Sequence, residues 1–283
     1  MGCLGFPSVL HPVAEAPVQA MPTGRAGNEK KVSEPQPEQP VTDEGRETIV
    51  LSVVVPAYNE QASIGACVTE VADVLGSLSG RHEIIVVDDG SADGTWDALK
   101  RLHEAVPMLR ALRLATRSGQ TAAFDAGFRA ARGRYVVTMD ADLQNDPTDI
   151  PALLELMPHW DVVCGVRRSR RDSLLRRLSS RIANGVRNRL TGESIRDVGC
   201  SLRAIRTERL RNLKLYDGMH RLLPTLLRWD GCRVTEVLVN HRPRRTGKSK
   251  YGLWNRLFRA LRDLMAVRWM RSRWLRYEVA EEV

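Results

Sequence analysis

From Ile49 onward, short runs of β-branched and aliphatic residues alternate with longer amphipathic stretches. The run IVLSVVV is followed by a helical pattern over Gln61 to Leu78, EIIVV by one over Thr95 to Ala105, LRALRLA by one over Thr121 to Ala131, and YVVTM by one over Ile150 to Met157, before DVVCGV. This order predicts β-α-β-α units building a parallel sheet covered by helices on both faces. Sheets of that kind bind ligands beyond the carboxyl ends of their strands. Three polar loops fall at such ends: Pro56-Ala57-Tyr58-Asn59-Glu60, Asp88-Asp89-Gly90-Ser91 and Asp140-Ala141-Asp142. They are expected to converge on one crevice. Neither G-x-G-x-x-G after a strand nor G-x-x-x-x-G-K-[ST] occurs, which argues against dinucleotide oxidoreductases and P-loop nucleotidases.

Residues 1–47 have no such rhythm. Pro, Glu, Gln, Gly and Ala dominate, Phe6 is the one aromatic residue, and the segment is expected to be a disordered tail. Its seven acidic and four basic residues give it −3, so the rest of the chain carries +12 of the formal +9. A cationic surface suits nucleic acid, anionic lipid or anionic substrates, and charge alone does not choose among them. Cys3, Cys67, Cys164, Cys200 and Cys232 form an odd, scattered set with no C-x-x-C, so a reducing cytosol is expected and neither a disulfide framework nor a zinc site. No apolar run is long enough to span a bilayer and no secretory leader is evident, predicting a soluble or peripheral chain. Met1-Gly2-Cys3 fits a myristoylation start, but Phe6 stands where Ser or Thr is required.

The chemistry concentrates in YVVTMDADLQNDP, Tyr135 to Pro147, where an apolar strand delivers Asp140, Asp142 and Asp146 into a turn. Two carboxylates one residue apart suit a hard cation such as Mg²⁺, which takes one or two protein carboxylates and fills its other positions with substrate phosphates and water. A solvated acidic turn has the same letters, so the wider context decides.

That context is a resemblance. VVVPAYNE, VVDDGSADGT, SGQTAAFDAGF and MDADLQ, in this order, resemble the nucleotide-sugar-binding half of family 2 glycosyltransferases of the GT-A fold. DVGCSLRAIR, DGMHRLLPTLL and HRPRRTGKSKYG resemble the members that transfer a sugar to a polyprenyl phosphate, as dolichyl-phosphate mannose synthases and bacterial undecaprenyl-phosphate glycosyltransferases do. The resemblance runs from Ile49 to Leu264. It implies an α/β, Rossmann-like, mostly parallel sheet. It also implies a donor such as GDP-mannose or a UDP-sugar, a polyprenyl phosphate acceptor, and Mg²⁺ or Mn²⁺ as cofactor. By that resemblance Asp142 and Gln144 are the metal ligands, Asp140 and Ala141 touch the nucleotide sugar, and Pro56, Tyr58, Glu60, Val87 and Asp89 embrace base and ribose. The chain departs from many bacterial members in lacking two carboxyl-terminal transmembrane helices, and from processive synthases in lacking Q-x-x-R-W.

Positive charge makes chemical sense on the acceptor side. Seven arginines lie between Arg167 and Arg181, and Ser173 to Leu190 alternates Leu or Ile with Arg at helical spacing. Guanidinium groups grip phosphates bidentately. The resemblance assigns Arg167 to the donor phosphates, Arg176 or Arg177 to the acceptor phosphate, and Arg244 and Lys250 to a loop closing over the donor. A phosphate acceptor is already anionic near neutral pH, so positioning can replace a general base. Asp197 is assigned to sugar positioning, and as base it would instead serve a hydroxyl acceptor. Single displacement implies inversion.

From Trp254 to Tyr277, Leu257, Phe258, Leu261, Leu264, Met265 and Trp269 fall on one helical stripe with arginines mostly elsewhere, the pattern of a helix lying in a bilayer interface. The expected organisation is a tail over 1–47, a glycosyltransferase domain over 48–251 and an amphipathic helical extension over 252–283. The expected location is cytoplasmic, peripheral on the inner face of the cell membrane. A lipid or glycan hydroxyl acceptor is the second reading. A nucleic-acid-binding module is disfavoured, because no helix-turn-helix, zinc or RNP signature is present.

Overall fold

The computed structural model describes residues 48–168, 185, 195–243, 253–273 and 281, all within one compact unit. Seven strands form one sheet: β1 (Ile49–Ala57), β2 (Arg81–Asp88), β3 (Leu109–Arg113), β4 (Tyr135–Thr138), β5 (Val162–Arg167), β6 (Arg203–Arg206) and β7 (Val234–Val239). Their order is β3-β2-β1-β4-β6-β5-β7, and only β6 runs antiparallel, to both β4 and β5. The helices are α1 (Ile64–Gly76), α2 (Thr95–Ala105), α3 (Gln120–Ala130), α4 (Ile150–Leu154), α5 (Thr207–Arg211), α6 (Leu223–Trp229) and α7 (Leu253–Ser272). The mostly parallel, helix-flanked sheet is the architecture expected above. Strands β6 and β7 are additions to it, and α4 is shorter than its apolar pattern predicts.

The continuous Val and Ile runs arise because both faces of the sheet are covered. Val53, Val55, Ile84, Val86 and Val137 pack in the layer of α1, with Ile64, Val68 and Val71. Their neighbours Val54, Ile85, Val87 and Val136 pack on the other face with Phe124 and Phe128 of α3 and with Leu223 and Leu227 of α6. Each such side chain, fully buried, stabilises by roughly 1.5–3 kcal/mol. Helix α3 lies so close to β1 that a Cβ on Gly127 would run into Val54 Cγ1. That close seat fixes where the N-terminus of α3 meets the strand ends.

Helix α7 packs on the same unit through a small separate cluster in which Val267, fully buried, and Met270 meet Met219, Leu222, Leu226 and Trp229. The Arg271 guanidinium stands 5.7 Å from the centroid of the Trp229 ring. The second half of the expected stripe points away from the protein. Met265 and Trp269 face outward, 65% and 63% exposed, and Val267 takes the buried face. Arg176, Arg177, Arg244, Lys250 and the tail over 1–47 lie outside the described residues, as does the predicted helix over 173–190 apart from Gly185.

Candidate functional site

One cleft opens at the carboxyl ends of the central strands. It is lined by Pro56, Ala57, Tyr58 and Glu60 after β1, Asp89 after β2, Arg117, Gly119 and Gln120 before and on α3, and Asp140, Ala141 and Asp142 after β4. The three polar loops therefore converge as the strand order requires.

The first two loops are laced to each other. Asn59, in the left-handed region at φ 53°, donates its N–H to Ser91 Oγ and accepts the Ala92 N–H on Oδ1, both at 2.9 Å. Glu60 donates its N–H to Thr95 Oγ1 at 2.9 Å, and its carboxylate accepts the Ser63 hydroxyl at 2.7 Å. Asp89 accepts the N–H groups of Ser118, at 2.6 Å, and of Gly119. Its carboxylate thus holds the turn before α3 in place as it lines the cleft. Gly119 at φ 96° is the residue that lets this turn pass so close.

A second left-handed residue, Leu143 at φ 61°, follows Asp142. A branched side chain there is strained, and such outliers gather where geometry is held for function. The turn it makes lets Asp142 Oδ1 accept the Gln144 N–H at 3.2 Å. Asp140 is held at both oxygens, by Gln120 Nε2 at 2.9 Å and by Ser201 Oγ at 2.8 Å, while its own N–H goes to Asn145 Oδ1 at 3.1 Å. Burial and then the neighbouring Asp142 charge push the Asp140 carboxyl above its ordinary range. The same field reaches behind the cleft: the Cys67 thiol is pushed up to about 12, by burial first and then by Glu70, Asp142, Asp140 and Glu60.

A divalent cation would relieve the cost that the Asp142 charge imposes on ionising Asp140. Among the described residues no group of three or more His, Cys, Asp or Glu side chains is poised for a metal. A cation here would take few protein ligands and leave room for phosphate oxygens, as Mg²⁺ does. Oxygen ligands from Asp140, Asp142 and Gln144 fit it.

The segment after β7 closes over this loop. His241 pairs through its backbone with Asn145, and its Nε2 lies 3.4 Å from Gln144 Nε2. Arg242 donates to both oxygens of Asp146 and to Glu70 of α1, and its N–H goes to the Gln144 carbonyl at 2.9 Å. Asn240 makes two bonds to Asp149. His241 thus brings an imidazole to the loop of Asp142 and Gln144, while in sequence it is only the first letter of HRPRRTGKSKYG.

The expected residues divide by placement. Pro56, Tyr58, Glu60, Asp89, Asp140, Ala141 and Asp142 line the cleft together, and Gln144 stands behind it against His241. The Val87 side chain does not reach the cleft: it is wholly buried in the core, leaving only its backbone for a ligand. Arg167 and Asp197 are brought together in a two-pronged ion pair, Nε to Oδ2 and Nη2 to Oδ1, each 2.7 Å. Arg117, Gln120 and Ser201 were missed. Arg117 places its guanidinium 4.3 Å from the centroid of the Tyr58 ring, a cation–π stack on the cleft wall.

Comparison with known proteins agrees with this geometry. Residues 52–214 match the family model described as glycosyl transferase family 2. A dodecaprenyl-phosphate galacturonate synthase of Rhizobium johnstonii is 40% identical over 232 residues, 80% of this chain and 68% of the relative. An undecaprenyl-phosphate 4-deoxy-4-formamido-L-arabinose transferase of Edwardsiella ictaluri is 38% identical over 76% of this chain and 66% of its own length. The chain thus spans about two thirds of the relatives it matches. Among solved structures, glucosyl-3-phosphoglycerate synthase from Mycobacterium tuberculosis, in complex with Mn²⁺, uridine-diphosphate-glucose and phosphoglyceric acid, superposes with a TM-score of 0.60 at 21% identity. That match covers 79% of each chain. The same enzyme with Mg²⁺ and uridine-diphosphate gives 0.59 at 22%, over 79% of each chain. The fold is GT-A, and the chain belongs to glycosyl transferase family 2.

Proposed function

We propose that this glycosyltransferase moves a sugar from a nucleotide diphosphate sugar to a polyprenyl phosphate, by single displacement with inversion, while resting on a membrane surface. The observation that carries the donor half is the pairing of Asp140 and Asp142 at one cleft whose wall carries Tyr58 and Arg117. The Tyr58 ring offers a stacking face for a base, and Arg117 adds a cation beside it. Asp89 orders the Ser118-Gly119 turn, and Gln120 and Ser201 hold Asp140 at its angle. Mg²⁺ or Mn²⁺, held by Asp142 and Gln144 with Asp140 beside them, would supply several kcal/mol of stabilisation to charge on the leaving diphosphate. Relatives named for dodecaprenyl and undecaprenyl phosphate support the acceptor. A phosphate monoester needs no base, which accords with Asp197 being bound to Arg167.

Helix α7 supports the membrane setting. Met265 and Trp269 project beside the exposed Arg262, Arg268 and Arg273, an apolar and cationic face suited to anionic headgroups. No helix among the described residues is long and apolar enough to cross a membrane. We place the protein peripherally on the inner face of the cell membrane, with nucleic acid no part of its function. The test is incubation with UDP-sugars or GDP-mannose, Mg²⁺ or Mn²⁺, and a short polyprenyl phosphate or the matching polyprenol. A phosphate-linked glycolipid formed from the phosphate alone is expected. Efficient transfer to the alcohol would overturn the phosphate-acceptor reading.

A further inference from the structure

The turn at Asp217-Gly218 is anchored far more heavily than its exposure requires. Gly218, left-handed at φ 84°, donates its N–H to Thr121 Oγ1 at 2.9 Å. That oxygen also lies 2.7 Å from His220 Nδ1. The buried guanidinium of Arg203 ties the His220 carbonyl to the Val198 carbonyl, both at 2.8 Å. From behind, a Cβ on Gly218 would meet Asp263 of α7 at 2.8 Å. Three separate elements, α3, β6 and α7, thus surround one short turn.

What this scaffold presents is a carboxylate. Asp217 is exposed and, among the described residues, makes no hydrogen bond or ion pair. Its Oδ1 stands 3.5 Å from where a side chain on the cleft-lining Gly119 would begin. A negative group next to Gly119 would repel the phosphates of a donor, whereas it accepts strong hydrogen bonds from hydroxyls. Resting on the nucleotide-sugar reading above, we propose that Asp217 is a specificity-determining residue that accepts hydrogen bonds from the hydroxyls of the donor sugar. Thr121, His220 and Arg203 are the positioning residues that hold it there.

The experiment is titration calorimetry with Mn²⁺ on the full chain and on Asp217→Asn and Asp217→Ser. The probes are UDP, UDP-glucose, UDP-galactose, UDP-galacturonate, GDP and GDP-mannose. Both variants should bind the bare nucleotide within about twofold of the parent, while the sugar donor that the parent prefers loses about tenfold, the worth of one hydrogen bond to a charged group. Equal losses for nucleotide and nucleotide sugar, or no loss for either, would overturn the proposal. So would unchanged donor affinity with turnover on polyprenyl phosphate down about a thousandfold, the signature of a general base. Failure of the parent chain to bind either UDP or GDP would bring down the donor reading itself, and this inference with it.

Discussion

Arg167 and Asp197 satisfy each other through two parallel hydrogen bonds of 2.7 Å, with only 14% and 11% of their side chains exposed. The guanidinium fork matches the carboxylate, and the pair joins the end of β5 to the loop before β6. Removing one partner strands the other charge, so Asp197→Ala and Arg167→Met should each cost about 3 kcal/mol of folding stability. The double variant should cost clearly less than the two losses added. Urea melts of the four proteins check this, and strict additivity would show that the pair is not coupled.

Removing the carboxylate of Asp142 should lower turnover at least about tenfold, or about 1.4 kcal/mol of barrier, with Asp140→Ala similar and EDTA abolishing activity. His241→Ala should raise the Mn²⁺ concentration needed for half-maximal rate by roughly 10–100-fold, the usual effect of losing a group that orients or completes a metal site. The donor KM measured at saturating Mn²⁺ should move much less. Activity indifferent to EDTA and to Asp142→Ala would reject the metal assignment.

Asp146, the third carboxylate of the acidic turn, is a hub. Partial burial works against its ionisation, yet the Thr148 hydroxyl and N–H and the Arg242 guanidinium outweigh burial and hold its carboxyl below the ordinary range. A depressed carboxyl contributes stability above the unfolded pKa near 4, and loses it as pH falls through the lower folded value. Asp146→Asn should therefore cost about 1–3 kcal/mol at pH 7, and the gap from the parent should narrow in acid. Thermal melts between pH 7 and pH 3 decide.

The strands β1 to β5 and the cleft loops were legible because their cause is local: a both-faces-buried strand must be apolar throughout, and its exit must be polar. Strand β6 was not, since RAIR has four residues and two arginines, and it enters the sheet by pairing with β4 and β5 on either side. Arg117 became visible only when folding set it over Tyr58, and His241 only when β7 carried it to Gln144, 97 residues away. On α7 the stripe holding Met265 and Trp269 was legible but the buried side was not, because Val267 is as apolar as they are and periodicity cannot say which side meets the protein.

His220 predicts an acid-sensitive fold. Burial, then the charges of Arg221 and Arg203, push its ring down to about 3. The unfolded chain takes up a proton near pH 6.5 and the folded chain refuses it, so stability falls as pH drops from 6.5 toward 3. The slope is at most about 1.4 kcal/mol per pH unit. His220→Asn keeps an acceptor for Thr121 without a titrating ring. Its urea midpoint should fall less steeply over pH 6.5 to 4 than the parent's, and parallel curves would exclude His220 as the cause.

The last prediction separates the two faces of α7. Val267 is wholly buried against Met219, Leu222 and Leu226, so Val267→Glu places an unpaired carboxylate in that cluster and should destabilise the chain by several kcal/mol. Met265 and Trp269 touch solvent, so Met265→Glu and Trp269→Glu should leave the melting temperature almost unchanged. If α7 lies on the membrane, those same changes insert negative charge where headgroups are negative and remove the apolar anchor. Cosedimentation with vesicles containing anionic lipid should drop sharply for both. Binding by the parent should weaken as salt rises, since attraction between exposed charges is screened over about 8–10 Å at near-physiological ionic strength. Outward variants that still sediment like the parent would show that this face does not meet lipid, and α7 would then be a helix that only supports the Asp217 turn.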